Sequence, residues 1–210
     1  MDILTDGGEL IQKRDYTLLL DRSEKMAELD SASGLTLQAM LQDATLAVVT
    51  QCERFDFDGI SLYFYGSTFQ QFEGITSTEV AKLFRNYPPL GTSYLARPLQ
   101  DAIDRYFNRR RLGFVKPNGE TIFVLTGSVP EDIAEVKGVI IEASKRIDRD
   151  EELAISIVQV GGDLALRSIL LGLDDDLQKM GAKFDICDTV TFEQIDRAVL
   201  SEVLLSAIVD

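Results

Sequence analysis

Histidine and tryptophan are absent from these 210 residues, and cysteine occurs only at Cys52 and Cys187. Without histidine there is no Ser-His-Asp or Cys-His pairing and no His-ligated metal site. Two cysteines so far apart build neither a disulfide scaffold nor a zinc site. Cys52 on the apolar face of a helix and Cys187 in a strand are expected to be buried free thiols in a reducing compartment. Proline (5) and glycine (15) are too few for a collagen-like or low-complexity chain. No apolar run approaches the ~18 residues that a membrane span needs. Positive charge is scarce: 21 Lys and Arg against 35 Asp and Glu leave a net charge of −14. Binding of nucleic acid by counterion release needs clustered cations, so that class is set aside. The one basic cluster, Arg109-Arg110-Arg111, suits the last turn of a helix. Met1 to Asp6 lacks the basic flank and apolar stretch of a signal peptide, so the expected location is cytoplasmic.

What is present is an alternation of two periodicities. Asp15–Asp21 (DYTLLLD) is a short apolar run suited to a buried strand. Leu37, Met40, Leu41, Ala44, Val48 and Cys52 then share one helical face. Asp58–Tyr65 reads as a strand, and Gly66-Ser67 reads as a two-residue hairpin link to a shorter antiparallel strand, Thr68–Phe72. Thr76 with Glu79 forms a capping box for a short helix that stops before Pro88-Pro89. Further helices are predicted around Leu95–Phe107, Ile133–Ile147 and Leu166–Met180. Further strands are predicted at Thr121–Leu125, Leu153–Val160 and Phe184–Asp188, and a last helix capped by Thr191 and Gln194 carries Ile195, Val199 and Val203. This order predicts one α/β domain with a mostly parallel six-stranded sheet and Thr68–Phe72 as its antiparallel edge. Its core should include Leu18, Leu20, Leu62, Phe64, Phe123, Leu125, Ile155 and Ile157.

Open parallel sheets bind ligands beyond the carboxyl ends of their strands, so the loops there are the places to search. They read Asp21-Arg22-Ser23-Glu24-Lys25-Met26, Pro89-Leu90-Gly91-Thr92-Ser93 and Thr126-Gly127-Ser128-Val129-Pro130-Glu131-Asp132. None carries a GxxxxGK phosphate loop or a GxGxxG dinucleotide loop. Asp174-Asp175-Asp176 is the densest acidic run, and it lacks the ligand spacing and turn glycine of a calcium loop.

These three loops resemble those of the von Willebrand factor A domain, whose metal-ion-dependent adhesion site is built from D-x-S-x-S, G-T-x-x-L and T-D-G-x-P motifs. Arg14 to Ser23 is similar to the first stretch, Gly91-Thr92-Ser93-Tyr94-Leu95 to the second, and Val124 to Pro130 to the third. The resemblance covers about residues 13–208, with residues 1–12 as an N-terminal extension. It implies a Rossmann-like three-layer sandwich and a protein-binding module rather than an enzyme. Of the site residues it implies, Asp21, Ser23 and Thr92 match. Lys25 stands where the family has its second serine, and Gly127 where it has an aspartate.

Magnesium wants octahedral oxygen ligands with one or two carboxylates. Lys25 brings a repelling charge and Gly127 brings no ligand. The expectation is therefore a degenerate site with weak or no Mg²⁺ binding, in which the Lys25 ammonium borders the metal position and pairs with Asp21. Glu24, Glu131 and Asp132 are the acids that could replace the missing carboxylate. The implied function is an intracellular interaction or scaffold module. Its partner binds over Asp21, Ser23, Lys25, Thr92 and Gly127, and by resemblance belongs to an ATPase or assembly complex. The alternatives are a Mg²⁺-dependent binding module and, from another class, a hydrolase or phosphotransferase using Asp21.

Overall fold

The computed structural model describes residues 13–54, 59–174 and 176–191. Six strands, β1 (Asp15–Asp21), β2 (Ile60–Tyr65), β3 (Phe69–Ile75), β4 (Glu120–Thr126), β5 (Leu153–Gln159) and β6 (Cys187–Thr191), form one sheet in the order β3-β2-β1-β4-β5-β6. Five are parallel, and β3 runs antiparallel to β2 at the edge. Among the described residues five helices join them: α1 (Leu37–Cys52), α2 (Ser77–Asn86), α3 (Ala96–Leu112), α4 (Ile133–Arg146) and α5 (Leu164–Asp174). No helix among the described residues is long and apolar enough to cross a membrane.

The strands are apolar at consecutive positions because both faces of the sheet are covered. Leu18 and Leu20 point to one layer, with Leu62, Phe64, Phe123 and Leu125, under Leu41 and Val48 of α1 and Phe84 of α2. Leu19 points to the other, with Ile122, Val124, Ile155 and Ile157, under Leu99 of α3, Ile140 of α4 and Leu170 of α5. All eight core residues expected from the sequence are no more than 1% exposed. Thr76 and Glu79 close the expected capping box, with Thr76 N donating to Glu79 Oε2 at 3.1 Å. Cys52 and Cys187 are buried in opposite layers and form no disulfide.

Three boundaries differ most from the sequence reading. The hairpin link has three residues, because Tyr65 pairs with Phe69 and Gly66 N donates to Thr68 O. Aromatic packing favours this register: Phe72 and Tyr87 close on Phe64 with centroids 6.4 and 5.3 Å away. Gly66 serves close approach, since a Cβ there would lie 2.9 Å from Leu90 O. β6 begins at Cys187 rather than Phe184, because Lys183 N is drawn to Ser144 Oγ of α4 and the chain joins β5 only at Ile186 O. α5 stops at Asp174; Leu177 is still buried but belongs to the following turn, and Met180 is exposed. Residues 1–12, the helix expected after Thr191, and Asp175 lie outside the described residues.

Charges are buried at the amino end of the sheet. Arg14 is fully buried and donates to Thr121 Oγ1 (2.6 Å), to the carbonyls of Glu120 (2.8 Å) and Glu151 (2.7 Å), and to Asn118 O. Burial pushes its guanidinium down to about 10. Arg109 reaches from the end of α3 to Glu120 Oε2 (2.5 Å), and Arg110 to Asp148 (2.5 Å) and Glu152 (3.2 Å). Two of the three clustered arginines thus tie α3 to the sheet and to the α4–β5 connection.

Burial pushes the Glu120 carboxyl above its ordinary range, with Arg109 and Thr17 pulling it back. Such a carboxyl adds stability below the ordinary glutamate pKa and loses it as pH rises through the raised value. Wild type should therefore lose stability relative to Glu120→Gln as pH rises above about 4 in urea melts. A stability difference that stays constant with pH contradicts this.

Candidate functional site at the carboxyl end of the sheet

β1 ends at Asp21, level with Tyr65 of β2, and Arg22 N continues the ladder to Tyr65 O at 2.8 Å. The chain then turns through a short 3-10 segment, Glu24–Ala27, which buries Met26 and exposes Glu24 and Lys25. The second loop is strapped to the first by Leu90 N to Arg22 O (2.6 Å) and Glu24 N to Gly91 O (2.8 Å). The third follows β4, and Glu131 N binds Ser93 O of the second at 2.9 Å. The fourth, after β5, is joined to the first through Gly162 N and Asp30 Oδ1 at 3.0 Å. Loops more than a hundred positions apart are thereby brought together, as the three motifs predict.

Asp21 is 1% exposed. Its Oδ1 accepts from Ser23 N (2.8 Å), and its Oδ2 accepts from Thr126 Oγ1 (2.8 Å) and Ser128 Oγ (2.5 Å). Ser128 spends its proton on Asp21, so Ser23 Oγ, 3.2 Å away, is left to donate to Ser128. Burial raises the Asp21 pKa, and the bonds from Ser128, Ser23 and Thr126 oppose the shift. Tyr65 is buried beside them. Burial, and after it the Asp21 charge, holds its phenol well above the ordinary tyrosine range. Sequence reading missed Thr126 and Ser128. The available signal was their alternation about Gly127, which turns both toward one face of the strand end.

The other expected residues do not converge on Asp21. Lys25 pairs with Asp163 instead, at 3.5 Å, with both side chains about 40% exposed. Position 25 faces outward on its 3-10 turn, and hydroxyls already surround Asp21. Thr92 is exposed, with its backbone N held by Ser67 Oγ at 2.9 Å. Gly127 is buried on the opposite side from its two neighbours' hydroxyls. A Cβ there would lie 3.1 Å from Met26 Sδ, 3.2 Å from Leu37 Cδ1 and 3.3 Å from Val160 O. Its φ is not positive, so space rather than backbone strain selects glycine. Asp132 is already engaged: its two oxygens accept from Leu95 N and Ala96 N, both at 2.9 Å, and so cap α3. Glu24 and Glu131 are exposed.

These residues do not fit a divalent cation. One carboxylate is present with both oxygens engaged, Ser23 Oγ is turned to Ser128, and the position of a second carboxylate faces a thioether and a methyl group. Among the described residues no group of three or more acidic or cysteine side chains is placed to hold a metal.

No family model and no curated protein matches the chain. Solved structures do. The manganese-loaded TRAP protein of Plasmodium vivax is similar over 95% of this chain and 75% of its own, at TM-score 0.60 and 17% identity. The RO (RSR) protein of Deinococcus radiodurans is similar over 93% of this chain and 34% of its own, at TM-score 0.54 and 14% identity. Both matches are von Willebrand factor A-type domains. The chain has the von Willebrand factor A fold. A point mutant of the minor pilin PilB from Streptococcus sanguinis is also similar, over 94% of this chain and 60% of its own, at TM-score 0.59 and 11% identity. This chain thus spans under two thirds of the PilB and RO chains.

Ser128→Ala should cost about 1–3 kcal/mol in urea denaturation, because it strips a donor from a buried carboxylate. Exposed Thr92→Ala should stay within about 0.5 kcal/mol. Gly127→Asp should also cost about 1–3 kcal/mol, since its side chain would overpack against Met26 and Leu37. Equal melts for Ser128→Ala and Thr92→Ala would remove Ser128 from the account.

Proposed function

We propose that this chain is a protein-interaction or scaffold module of the intracellular type. It docks partners on the loop face at the carboxyl end of its sheet, without a divalent cation and without catalysis. The supporting observation is the ring of exposed apolar side chains on the loops that surround the sealed Asp21. Leu90 (58% exposed) and Tyr94 stand on the second loop, Val129 on the third, Leu29 and Leu35 on the first, and Leu164 (73%) at the fourth. A gathering of apolar residues around a polar centre is what a partner-binding surface needs. The von Willebrand factor A fold fits an adhesion or interaction module. The partner class carried over from the resemblance is an ATPase or assembly complex.

Two measurements test this. Calorimetry with Mg²⁺ or Mn²⁺ should give no saturable binding. Proteins captured from lysate by the immobilised chain should survive EDTA and be lost with the Leu90→Asp, Val129→Asp double variant, while Asp176→Ala retains them. Saturable metal binding, or partners released by EDTA, would restore the metal-dependent reading. Equal capture by the two variants would remove the loop face.

A further inference from the structure

Beside that loop face, between the β2–β3 turn and the start of α3, lies an open groove of about 240 Å³. Ser67, Thr68, Phe69, Tyr94, Arg97 and Pro98 line most of it. Phe69 and Tyr94 leave 39% and 44% of their surfaces to solvent. Two large rings left open on one groove are an unusual outlay of apolar surface in so acidic a chain.

Arg97 is the second feature. It lies in the first turn of α3, is exposed, and no carboxylate among the described residues pairs with it. Three other arginines of the same helix are engaged: Arg105 with Asp101 and Glu73, Arg109 with Glu120, Arg110 with Asp148 and Glu152. Asp101, one turn beyond Arg97, is held by Arg105 and by the Tyr63 hydroxyl, both at 2.8 Å. Arg22 packs over the Tyr87 ring instead. A cation in the first helical turn opposes the macrodipole, so Arg97 sits where the helix itself gains nothing from it. No acidic residue lines the groove.

A guanidinium with free N–H groups binds a carboxylate through two parallel hydrogen bonds, and adjacent ring faces take up an apolar side chain. We propose that this groove receives an Asp or Glu side chain of a protein partner, with the partner's neighbouring apolar residue laid against Tyr94 and Phe69. This deepens the loop-face reading and rests on it. The net charge of −14 repels extended polyanions, so a nucleic acid is a poor occupant. A single carboxylate that meets Arg97 within an otherwise acidic surface sets the register of docking, because other placements of that charge are repelled.

The test uses the ¹⁵N-labelled full chain and the peptide Ac-Phe-Glu-Phe-Gly-NH₂. Its Gln analogue and inorganic phosphate serve as comparison probes. The Glu peptide should give saturable NMR shifts confined to residues 66–69 and 94–98 and to Arg97 Nε–H. The Gln peptide should bind about tenfold more weakly, the loss of one charge-assisted contact. Arg97→Gln, whose spectrum should remain that of a folded chain, should abolish the preference for Glu over Gln. Arg97→Lys should keep part of it.

No saturable shift with the Glu peptide, shifts centred elsewhere, or equal binding of the two peptides would overturn the proposal. So would phosphate binding as tightly as the Glu peptide. If Leu90→Asp, Val129→Asp abolishes capture but the Glu preference is missing, the groove assignment alone falls. If the preference is present but that variant captures normally, the groove stands and the loop-face reading falls.

Discussion

The carboxyl end of the sheet is organised by one buried charge. A carboxylate at the end of β1 loses its hydration on folding, and the fold returns donors in place of water: Ser23 N, Thr126 Oγ1 and Ser128 Oγ. Ser23 comes from the first loop, and Thr126 and Ser128 from the end of β4. Satisfying Asp21 therefore pins the loops after two adjacent strands against each other. The second loop joins through backbone bonds to Arg22 and Glu24. Around it the loops expose the apolar side chains of Leu29, Leu35, Leu90, Tyr94, Val129 and Leu164.

The amino end of the sheet solves a similar problem with opposite charges. Arg14 and Glu120 are both buried, and they meet through backbone carbonyls, threonine hydroxyls and Arg109 rather than by direct side-chain pairing. Two buried charges of opposite sign in one hydrogen-bonded network need less from the surrounding protein than either would alone. Arg14 reaches Glu151, and Arg109 and Arg110 reach Glu120 and Glu152, so this network locks β1, β4, α3 and the start of β5 together. The exposed guanidinium of Arg97 lies in an open groove at the opposite end of the molecule, and ligand recognition is assigned there.

The absent second carboxylate and the lysine in the first motif each have a local physical setting. Gly127 faces Met26 and Leu37, where an ionised side chain would be stranded, and Lys25 turns outward to Asp163. An exposed pair of that kind contributes little to stability. It ties the first loop to the fourth at the rim, beside exposed Leu164, and leaves Asp21 to the hydroxyls.

The sequence by itself determined the order of strands and helices, because a strand buried on both faces must be apolar at consecutive positions and a one-faced helix must not. Leu18-Leu19-Leu20 and the Leu37–Cys52 pattern are direct records of those environments. Capping at Thr76 and Glu79 was equally legible, since its partners are three positions apart. The loop motifs announced which segments meet above the sheet. Only the tertiary structure decided which side chains touch there. Lys25 chose a partner 138 positions away, Asp132 caps a helix that starts 36 positions upstream, and Thr126 and Ser128 reach Asp21 across more than a hundred positions. Local pattern carries no information about these choices. They depend on strand register and on which way a turn points its side chains, and both are settled only when the sheet is assembled.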